Sequence, residues 1–458
     1  MRFINNYIEK TKNYMKENNM KYYIETMGCA MNENDSAKYS GIMASMGITK
    51  ADKEEDANIV LFNTCCVREN AEKKLFGRLG ILKEKKMKEK DFYIAIVGCM
   101  TQQEHIIEKI KTSYPFVDIV LGTHSIDTFP NKLYNAIFKK IKTREHIDTE
   151  GQVVENVPII YEDNNKASIS IIYGCNNFCT YCIVPYVRGR ERSRKMEDII
   201  ENVKDVASKG YKEITLLGQN VNSYGKDLND ESSSFAKLLI KINEIDGIEI
   251  IRFVSPHPKD FGDDVIDAIK ACDKVSKQIH LPLQSGSTEI LNKMNRKYTK
   301  EDYLKLVKKM REKIPSVSFT TDVIVGFPGE TDEDFEETLD VVRKVRYDLV
   351  YMFIYSIRKG TIAEKMHNQI PEDIKTKRLE TLKYLNKEIV EEVNKENVGK
   401  IFPILIEGKS KNNNLKYTGR TPQNKVVIFD ANEELIGKIR NIKITSQHLW
   451  YLSGEIIK

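Results

Sequence analysis

The sequence predicts an α/β protein in three parts: an open parallel α/β sheet, a complete or partial parallel β/α barrel, and a small antiparallel β-barrel. Buried-strand runs alternate with polar, helix-prone segments over the first third of the chain and again from residue 166 onward. Such alternation is typical of parallel sheets with crossover helices. After residue 399 short β-rich runs with turn residues between them replace this pattern. The 458 residues also exceed the ~250–300 at which a single hydrophobic core usually stops growing.

The pattern divides the chain into five segments. About six β/α units in the second domain fit a complete or a partial parallel barrel, and a long amphipathic helix at 371–396 closes that domain. The six predicted strands are 168–173, 213–217, 250–254, 278–283, 318–325 and 349–355. The segments are an N-terminal extension at 1–20, a first domain at 21–141, a polar linker at 142–165, the second domain at 166–393 and a tail at 394–458.

Composition excludes several classes of protein. No run approaches the ~18 apolar residues of a membrane helix, and the N-terminus lacks the apolar stretch of a signal peptide. We therefore expect a soluble, cytoplasmic protein. The net charge of +5 resides in the tail, since residues 394–458 carry 11 Lys and Arg against 6 Asp and Glu. Either a polyanion-binding module or a solvated, lysine-rich surface explains this excess.

In the first domain, each of three predicted strands ends shortly before a cysteine. Open α/β sheets bind ligands at the carboxyl edge of their strands. One cysteine in such a place is usually a small buried residue, whereas three indicate a shared site. The strand and cysteine pairs are 21–25 with Cys29, 58–62 with Cys65, and 92–97 with Cys99.

The strongest chemical signal follows the first strand of the second domain. Cys175, Cys179 and Cys182 have the spacing C-x3-C-x2-C. Three thiolates on one tight loop can ligate three irons of a 4Fe–4S cluster, and the fourth iron is then open to a small chelating molecule. Structural zinc generally takes four ligands in paired sets, and no fourth Cys or His lies nearby in sequence. An iron–sulfur cluster is therefore the favoured interpretation.

With Tyr181 as the aromatic residue, C-x3-C-x-aromatic-C resembles the signature of radical S-adenosylmethionine enzymes. The resemblance implies that the open iron binds S-adenosylmethionine. It also implies that one electron cleaves the sulfonium to give a 5′-deoxyadenosyl radical.

Further segments are similar to one family of these enzymes, the methylthiotransferases. The tail resembles the family's TRAM domain, which binds RNA. Segments 255–258 and 419–421 are most similar to the bacterial branch that makes 2-methylthio-N6-isopentenyladenosine in tRNA. The similar segments are 26–32, 63–68, 98–100, 189–194, 217–224, 281–287 and 325–331.

The resemblance also implies a second 4Fe–4S cluster, on Cys29, Cys65 and Cys99, which holds the sulfur or methylthio group for transfer. The family pattern places the ligand directly after Asn-Thr, hence Cys65, but a swap with the adjacent Cys66 stays open. Cys272 fits no pattern and is expected to be a core thiol.

The same resemblance assigns roles to other residues. Gln219 and Asn220 are expected in the active site. The tail residues Arg420 and Arg440 are expected to contact RNA, and the basic run at 190–194 is either an anion-binding element or a solvated surface. Expected S-adenosylmethionine contacts are Tyr181, Gln284, Ser285, Gly326 and Gly329.

Taken together, the sequence predicts a tRNA methylthiotransferase that adds a methylthio group to C2 of N6-isopentenyladenosine next to the anticodon. The family resemblance implies that two S-adenosylmethionine molecules are consumed per product. The expected partners are the tRNA, an electron donor such as flavodoxin or ferredoxin, and a sulfur source, with the enzyme a monomer that contacts no membrane. One alternative is a sibling acting on threonylcarbamoyl-adenosine or on a ribosomal-protein aspartate. Another is a non-catalytic iron–sulfur protein that binds RNA or transfers electrons.

Overall fold

A computed structural model describes residues 2–66, 69–145, 153–155, 157–163, 165–411 and 413–457. Val67 and Arg68 of the second cysteine motif, and residues 146–152, 156 and 164 of the predicted linker, lie outside the described residues. So does the last residue of the tail, Lys458. Within the described ranges, no helix has both the length and the apolar character needed to cross a membrane.

The first domain is an open six-stranded sheet in the order β2-β1-β3-β4-β5-β6, with every pair parallel. All positions of β3 and β4 are buried, as expected for strands covered by helices on both faces. The strands are β1 (Lys21–Met27), β2 (Thr49–Lys50), β3 (Ile59–Thr64), β4 (Tyr93–Gly98), β5 (Ile119–Leu121) and β6 (Thr143–Glu145). The helices are α1 (Arg2–Glu17), α2 (Ala30–Ser45), α3 (Glu69–Lys88), α4 (Glu104–Ser113) and α5 (Phe129–Phe138).

Two segments of this domain differ from their description in the sequence analysis. The N-terminal extension forms helix α1, whose Ile8 and Met15 lie seven residues apart and join the core on one face of the sheet. The polar, lysine-rich residues around these two positions left no apolar pattern that the sequence analysis could detect. Residues 143–145, at the start of the predicted linker, form edge strand β6, which is too short to show an apolar period.

The central domain is a partial barrel, which decides between the two predicted forms. Two parallel three-stranded sheets, β11-β10-β7 and β12-β13-β14, are joined by one parallel bridge between Ile251 and Val275. Among the described residues, β7 and β14 do not pair, so the barrel is open between them. The barrel strands are β7 (Lys166–Ser170), β10 (Glu213–Leu217), β11 (Ile250–Phe253), β12 (Gln278–His280), β13 (Ser318–Val325) and β14 (Leu349–Ile354).

A two-stranded antiparallel ribbon, β8 (Ile172–Tyr173) with β9 (Arg192–Ser193), follows the first barrel strand and frames the Cys175 loop. The helices that accompany the barrel strands are α6 (Val184–Arg188), α7 (Met196–Ser208), α8 (Phe235–Asn243), α9 (Asp263–Ala271), α10 (Thr288–Lys293), α11 (Lys300–Lys313), α12 (Asp332–Val345) and α13 (Glu372–Lys395). All of them except α6 pack with the strands into the largest core cluster of the described residues.

The tail is a closed barrel in the order β15-β16-β17-β19-β18. Its pairs are antiparallel except β17 with β19, which run parallel. Because β17 and β19 are not consecutive strands, the order of the β-rich runs in the sequence could not predict this parallel pair. The strands are β15 (Ile401–Ser410), β16 (Asn413–Arg420), β17 (Val426–Phe429), β18 (Ile439–Gln447) and β19 (Leu452–Ile456).

The tail barrel is docked on the amino ends of the central barrel strands. Lys425 Nζ lies 2.6 Å from a carboxylate oxygen of Asp348, and both side chains are only 11% exposed. The Ser276 hydroxyl donates to the Pro422 carbonyl over 2.8 Å. The turn between β16 and β17 therefore closes that end of the central barrel.

Replacing Lys425 with Met is expected to destabilise this docking. The substitution leaves the buried carboxylate of Asp348 without its cation, and losing one partner of a buried pair costs about 3–5 kcal/mol. Urea denaturation followed through tail fluorescence should show the lower stability. Lys416→Met is the control, because its partner Asp430 is exposed and such surface pairs are worth about 0–1 kcal/mol. Equal midpoints for the two variants would contradict a buried, stabilising pair.

Candidate active site

The Cys175 loop runs from β8 to α6 and is held at its base by backbone. Gly174 adopts φ +76°, and a Cβ there would lie 2.0 Å from the Arg190 carbonyl oxygen. The Cys175 amide donates to the Gly189 carbonyl over 3.1 Å, and the Cys182 amide donates to that of Cys179 over 2.9 Å. The three thiols of the motif therefore share one short, braced loop.

Burial and one neighbouring arginine define the surroundings of these thiols. Burial raises the pKa of Cys175 to about 12, and burial likewise raises the pKa of Cys182 to about 12. Both are therefore protonated thiols at neutral pH until a metal displaces the proton. The buried Arg296 guanidinium donates to Cys179 Sγ over 3.4 Å. These donors fit an iron–sulfur cluster.

The second cysteine set lies where β1, β3 and β4 end. A hydrogen bond from Cys65 is the main cause that lowers the pKa of Cys29 to about 5. A hydrogen bond from Cys66 is the main cause that lowers the pKa of Cys99. Arg188 adds positive charge, with its Nε 3.1 Å from Cys99 Sγ. The structure thus gathers four thiols, and Cys66 is one of them.

Neither set is arranged for a single ion. Within the described part of the chain, no three His, Cys, Asp or Glu side chains are placed to hold one metal ion. A cluster needs wider spacing, because sulfide and iron atoms lie between its cysteines.

Arg188 connects the two cysteine sets. It ends helix α6, which follows the Cys175 loop, and its guanidinium also donates to Asp35 of helix α2 over 2.8 Å. The side chain is only 6% exposed, so the pair is buried between the two domains. Cys66 packs with Cys99 against the apolar side of α6, and the charge of Cys182 helps to raise its pKa.

A cavity of about 450 Å³ opens beside the second set, within the usual range of ligand pockets. Cys65 and Cys66 line one wall, and residues that follow β14, among them Tyr355 and Lys359, line another. The rest of the polar lining mixes basic, neutral and acidic side chains, and Lys375 is paired there with Glu372 at 2.8 Å. These residues are Glu72, Gln103, His105, Ser356, Arg358, Glu372 and Lys375. Arg358 and Lys359 of this lining suit a ligand that carries phosphate.

Gln219 and Asn220 lie beside the Cys175 loop. Gln219 Oε1 accepts the Gly174 amide at 2.5 Å, and Asn220 Nδ2 donates to Glu191 and to Asp260. The buried atoms Gln219 Nε2 and Asn220 Oδ1 have no hydrogen-bond partner among the described residues. Because buried polar atoms are rarely left unpaired, these two indicate a polar ligand.

The residues expected to contact S-adenosylmethionine differ in burial, backbone conformation and contacts. Tyr181 is half-buried against Phe327, and Gln284, four residues after β12, adopts φ +67°. Ser285 is fully buried, 3.5 Å from the Thr338 hydroxyl.

The two expected glycine contacts also have local reasons for being glycine. Gly326 (φ +72°) lies against the stem of Lys375, whose Cγ would be 2.3 Å from a Cβ. Gly329 has φ +77° and donates its amide to the Asn368 carbonyl over 2.9 Å.

The tail arginines differ in their surroundings. Arg420 Nε lies 3.5 Å from Glu407, which also binds Lys166 of β7 at 2.7 Å. Arg420 therefore belongs to the joint between the two barrels, which the sequence pattern did not indicate. Arg440 is half-exposed and donates to the Ile439 carbonyl.

The arginines of the basic run at 190–194 also differ in their surroundings. Arg194 pairs with Glu155 at 2.6 Å, and the Arg190 guanidinium lies 4.3 Å from the centre of the Phe178 ring.

Sequence reasoning missed Arg188 and Arg296 as partners of the cysteines. The only signal for Arg188 was its place six residues after Cys182, and Arg296 had none.

Replacing Gly174 with Ala is expected to cost the Cys175 loop its iron. A Cβ would collide with the Arg190 carbonyl, which belongs to the turn that braces the loop. Gly210→Ala is the matched control, because Gly210 also has a positive φ, +90°, but its Cβ would meet nothing within 4 Å. Iron analysis after anaerobic reconstitution should show about half the wild-type content for Gly174→Ala and full content for Gly210→Ala. Full content in both would contradict the bracing role.

Comparisons with known proteins agree with this geometry. The Radical SAM superfamily matches residues 169–342, the Uncharacterized protein family UPF0004 matches residues 21–122, and the TRAM domain matches residues 395–457. A solved structure of the radical S-adenosylmethionine methyltransferase TsrM from Kitasatospora setae, at 14% identity, covers 76% of this chain and 75% of its own, with a TM-score of 0.53. That likeness shows the fold alone.

Much closer relatives carry the name tRNA-2-methylthio-N(6)-dimethylallyladenosine synthase. The one from Acetivibrio thermocellus is 51% identical over 98% of this chain and 94% of its own length. The one from Clostridium botulinum (strain Eklund 17B) is 52% identical over 99% and 98%.

The partial barrel and its cysteine loop define a radical S-adenosylmethionine enzyme, with a 4Fe–4S cluster and S-adenosylmethionine as its cofactors. The chain belongs to the methylthiotransferase family of these enzymes, in the tRNA-2-methylthio-N(6)-dimethylallyladenosine synthase (MiaB) branch.

Proposed function

We propose that this enzyme is a tRNA methylthiotransferase that adds a methylthio group to C2 of N6-isopentenyladenosine, the nucleoside also called N6-dimethylallyladenosine, next to the anticodon. The observation that carries the proposal is the proximity of the two cysteine sets: Cys66 and Cys99 pack against the helix that follows the Cys175 loop, and a cavity opens beside Cys65 and Cys66. The relatives' shared name supports the choice of nucleoside.

The proposal assigns one 4Fe–4S cluster to each cysteine set. When bound, the cluster on Cys175, Cys179 and Cys182 supplies radical cleavage of S-adenosylmethionine, and that on Cys29, Cys65 and Cys99 supplies the sulfur group. The enzyme also requires an electron donor such as flavodoxin or ferredoxin, and a sulfur source. A radical route suits this substrate, since C2 of the adenine has neither an acidic proton nor a leaving group.

The chain's own residues hold the reactants at fixed separation. Arg188 ties α6 to α2 through Asp35, and so fixes the distance between the two cysteine sets. Gln219 and Asn220 offer unpaired amide atoms beside the Cys175 loop, where a carboxylate or an amino group could be bound.

Substrate enters, in this proposal, through the cavity that Cys65 and Cys66 line. Lys359 and Arg358 belong to its lining and suit the phosphates on either side of the modified nucleoside. Tyr355 also lines the cavity, but its side chain is buried against Phe327 and forms part of the wall.

Reconstituted enzyme incubated with S-adenosylmethionine, sulfide and a reductant tests this function. An anticodon stem-loop carrying N6-isopentenyladenosine should gain one methylthio group on that nucleoside, as seen by mass spectrometry. Matched stem-loops with threonylcarbamoyl-adenosine or unmodified adenosine should stay unchanged. Methylthiolation of the threonylcarbamoyl stem-loop instead, or of a ribosomal-protein peptide, would assign the chain to a sibling activity.

A further inference from the structure

The cations of the tail divide into those paired within the chain and those left open to a partner. Five lysines of the tail are exposed, and no ion pair among the described residues involves them: Lys395, Lys400, Lys411, Lys438 and Lys443. The paired cations are Lys409 with Glu433, Lys416 with Asp430, Arg420 with Glu407, and Lys425 with Asp348.

Lys395, Lys400 and Lys443 lie at one end of the tail barrel, whereas Lys411 and Lys438 lie at the opposite end of β15 and β18. The Ile444 amide donates to the Lys400 carbonyl over 2.9 Å, which places Lys400 beside the β18 strand that carries Lys443. Ile401, next to Lys400, is opposite Lys443 in the β15–β18 register. On its other side Lys443 faces Glu455 of β19, the acidic neighbour that it has within the barrel.

The third lysine, Lys395, ends helix α13 at the same end of the barrel. Its neighbour Asn394 is buried and donates its side-chain amide to two carbonyls of the turn at 448–451, over 2.9 and 3.1 Å. Helix α13 and this turn are therefore fastened together. The adjacent acid, Glu396, is already bound by Arg346 at 3.0 Å.

The turn at 448–451 presents an exposed aromatic residue. Trp450, the one tryptophan of the chain, is 62% exposed. Its neighbours His448 and Tyr451 stack with centroids 4.2 Å apart and planes 17° from parallel. The His448 amide also donates to the Tyr451 carbonyl over 2.9 Å. The turn is thus ordered before any partner arrives, so binding loses little conformational entropy.

We propose that this basic-aromatic face, Lys395, Lys400, Lys443 and Trp450, is where the tail barrel binds the tRNA. The lysines lie along phosphates, and Trp450 stacks on an unpaired base, which is the usual division of labour on single-stranded RNA. The inference rests on the proposed function, because it takes tRNA as the partner. It places the RNA at the end of the tail barrel that carries the 448–451 turn, away from the joint that Arg420 occupies.

Tryptophan fluorescence of the full holoenzyme tests the stacking directly, because every tryptophan photon comes from Trp450. Titration with tRNA carrying N6-isopentenyladenosine should quench this emission to saturation. The same midpoint should appear in a filter-binding assay, and it should rise steeply with salt. Unchanged emission at concentrations where filter binding is complete would overturn the placement of Trp450.

Two charge-matched triple variants test the lysines. Lys395→Ala, Lys400→Ala and Lys443→Ala together should weaken tRNA binding at least tenfold and lower the salt slope by about two, at ~0.7–0.9 per phosphate contact. Trp450→Ala should weaken binding at least about fivefold. The control triple, Lys409→Ala, Lys411→Ala and Lys438→Ala, removes the same charge at the opposite end of β15 and β18 and should bind nearly as the wild type does.

Equal affinity and salt slope for the two triples would overturn the proposed face. Such a result leaves the proposed function standing if wild-type enzyme still binds and methylthiolates the tRNA. Absence of any tRNA binding by the wild type would instead count against the proposed function itself.

Discussion

Replacing Cys175, Cys179 or Cys182 with Ala is expected to abolish both the reductive cleavage of S-adenosylmethionine and methylthio transfer. Replacing Cys29, Cys65 or Cys99 should abolish transfer but leave cleavage measurable. The physical reason is that the two sets lie on different elements, one on the braced loop after β8 and the other at the ends of β1, β3 and β4. Chromatography of 5′-deoxyadenosine and of the modified nucleoside measures the two activities separately.

Cys66→Ala and Cys272→Ala are the controls for this series. Cys272 is buried among apolar residues of the central domain, so its variant should keep both activities. Cys66 hydrogen-bonds to Cys99, whereas Cys65 bonds to Cys29. If Cys65 is the ligand, Cys66→Ala retains transfer and Cys65→Ala loses it. Cleavage surviving in the Cys175 group would contradict the assignment of that loop.

Anaerobically reconstituted enzyme is expected to hold about eight irons and eight sulfides per chain, from two four-iron clusters. The triple variant of Cys175, Cys179 and Cys182 to Ala should hold about four, and so should the triple variant of Cys29, Cys65 and Cys99. The basis is that each set forms its own group of thiols on separate elements. Iron and sulfide analysis on matched protein concentrations gives both numbers.

Two outcomes would contradict the two-cluster account. A wild-type loading near four that does not change in the first triple variant would leave the Cys175 loop without iron. A loading that falls to zero in either triple variant would mean one shared site. Gly210→Ala, which leaves the loop untouched, gives the baseline for variants that only strain the backbone.

Much of the fold followed from local patterns in the sequence. The barrel strands were predicted within a few residues, since buried runs such as β13 are long and bounded by turn residues. The gathering of Cys29, Cys65 and Cys99 followed from one rule, that parallel strands end at the same edge. The sequence could not distinguish a complete barrel from a partial one, because the residues of a strand do not indicate whether its edge pairs with another strand.

The rest depended on contacts between residues far apart in the chain. Arg188 and Cys99 are separated by 89 positions, and Arg296 and Cys179 by 117, so no local spacing marks either pair. Arg420 stays a predicted RNA contact, but its ion pair with Glu407, at the joint with the central barrel, could not be seen from the sequence. The count of charged residues predicted a net positive tail. Only the ion pairs of the structure show which of its cations are already neutralised within the chain.

Mass spectrometry of tRNA nucleosides from cells that lack this protein is the most direct test of the central claim. The account predicts that 2-methylthio-N6-isopentenyladenosine disappears, that N6-isopentenyladenosine accumulates in its place, and that the wild-type chain restores the modified nucleoside. A Cys175→Ala chain should restore nothing. An unchanged level of 2-methylthio-N6-isopentenyladenosine, with loss of methylthiolated threonylcarbamoyl-adenosine instead, would contradict the account.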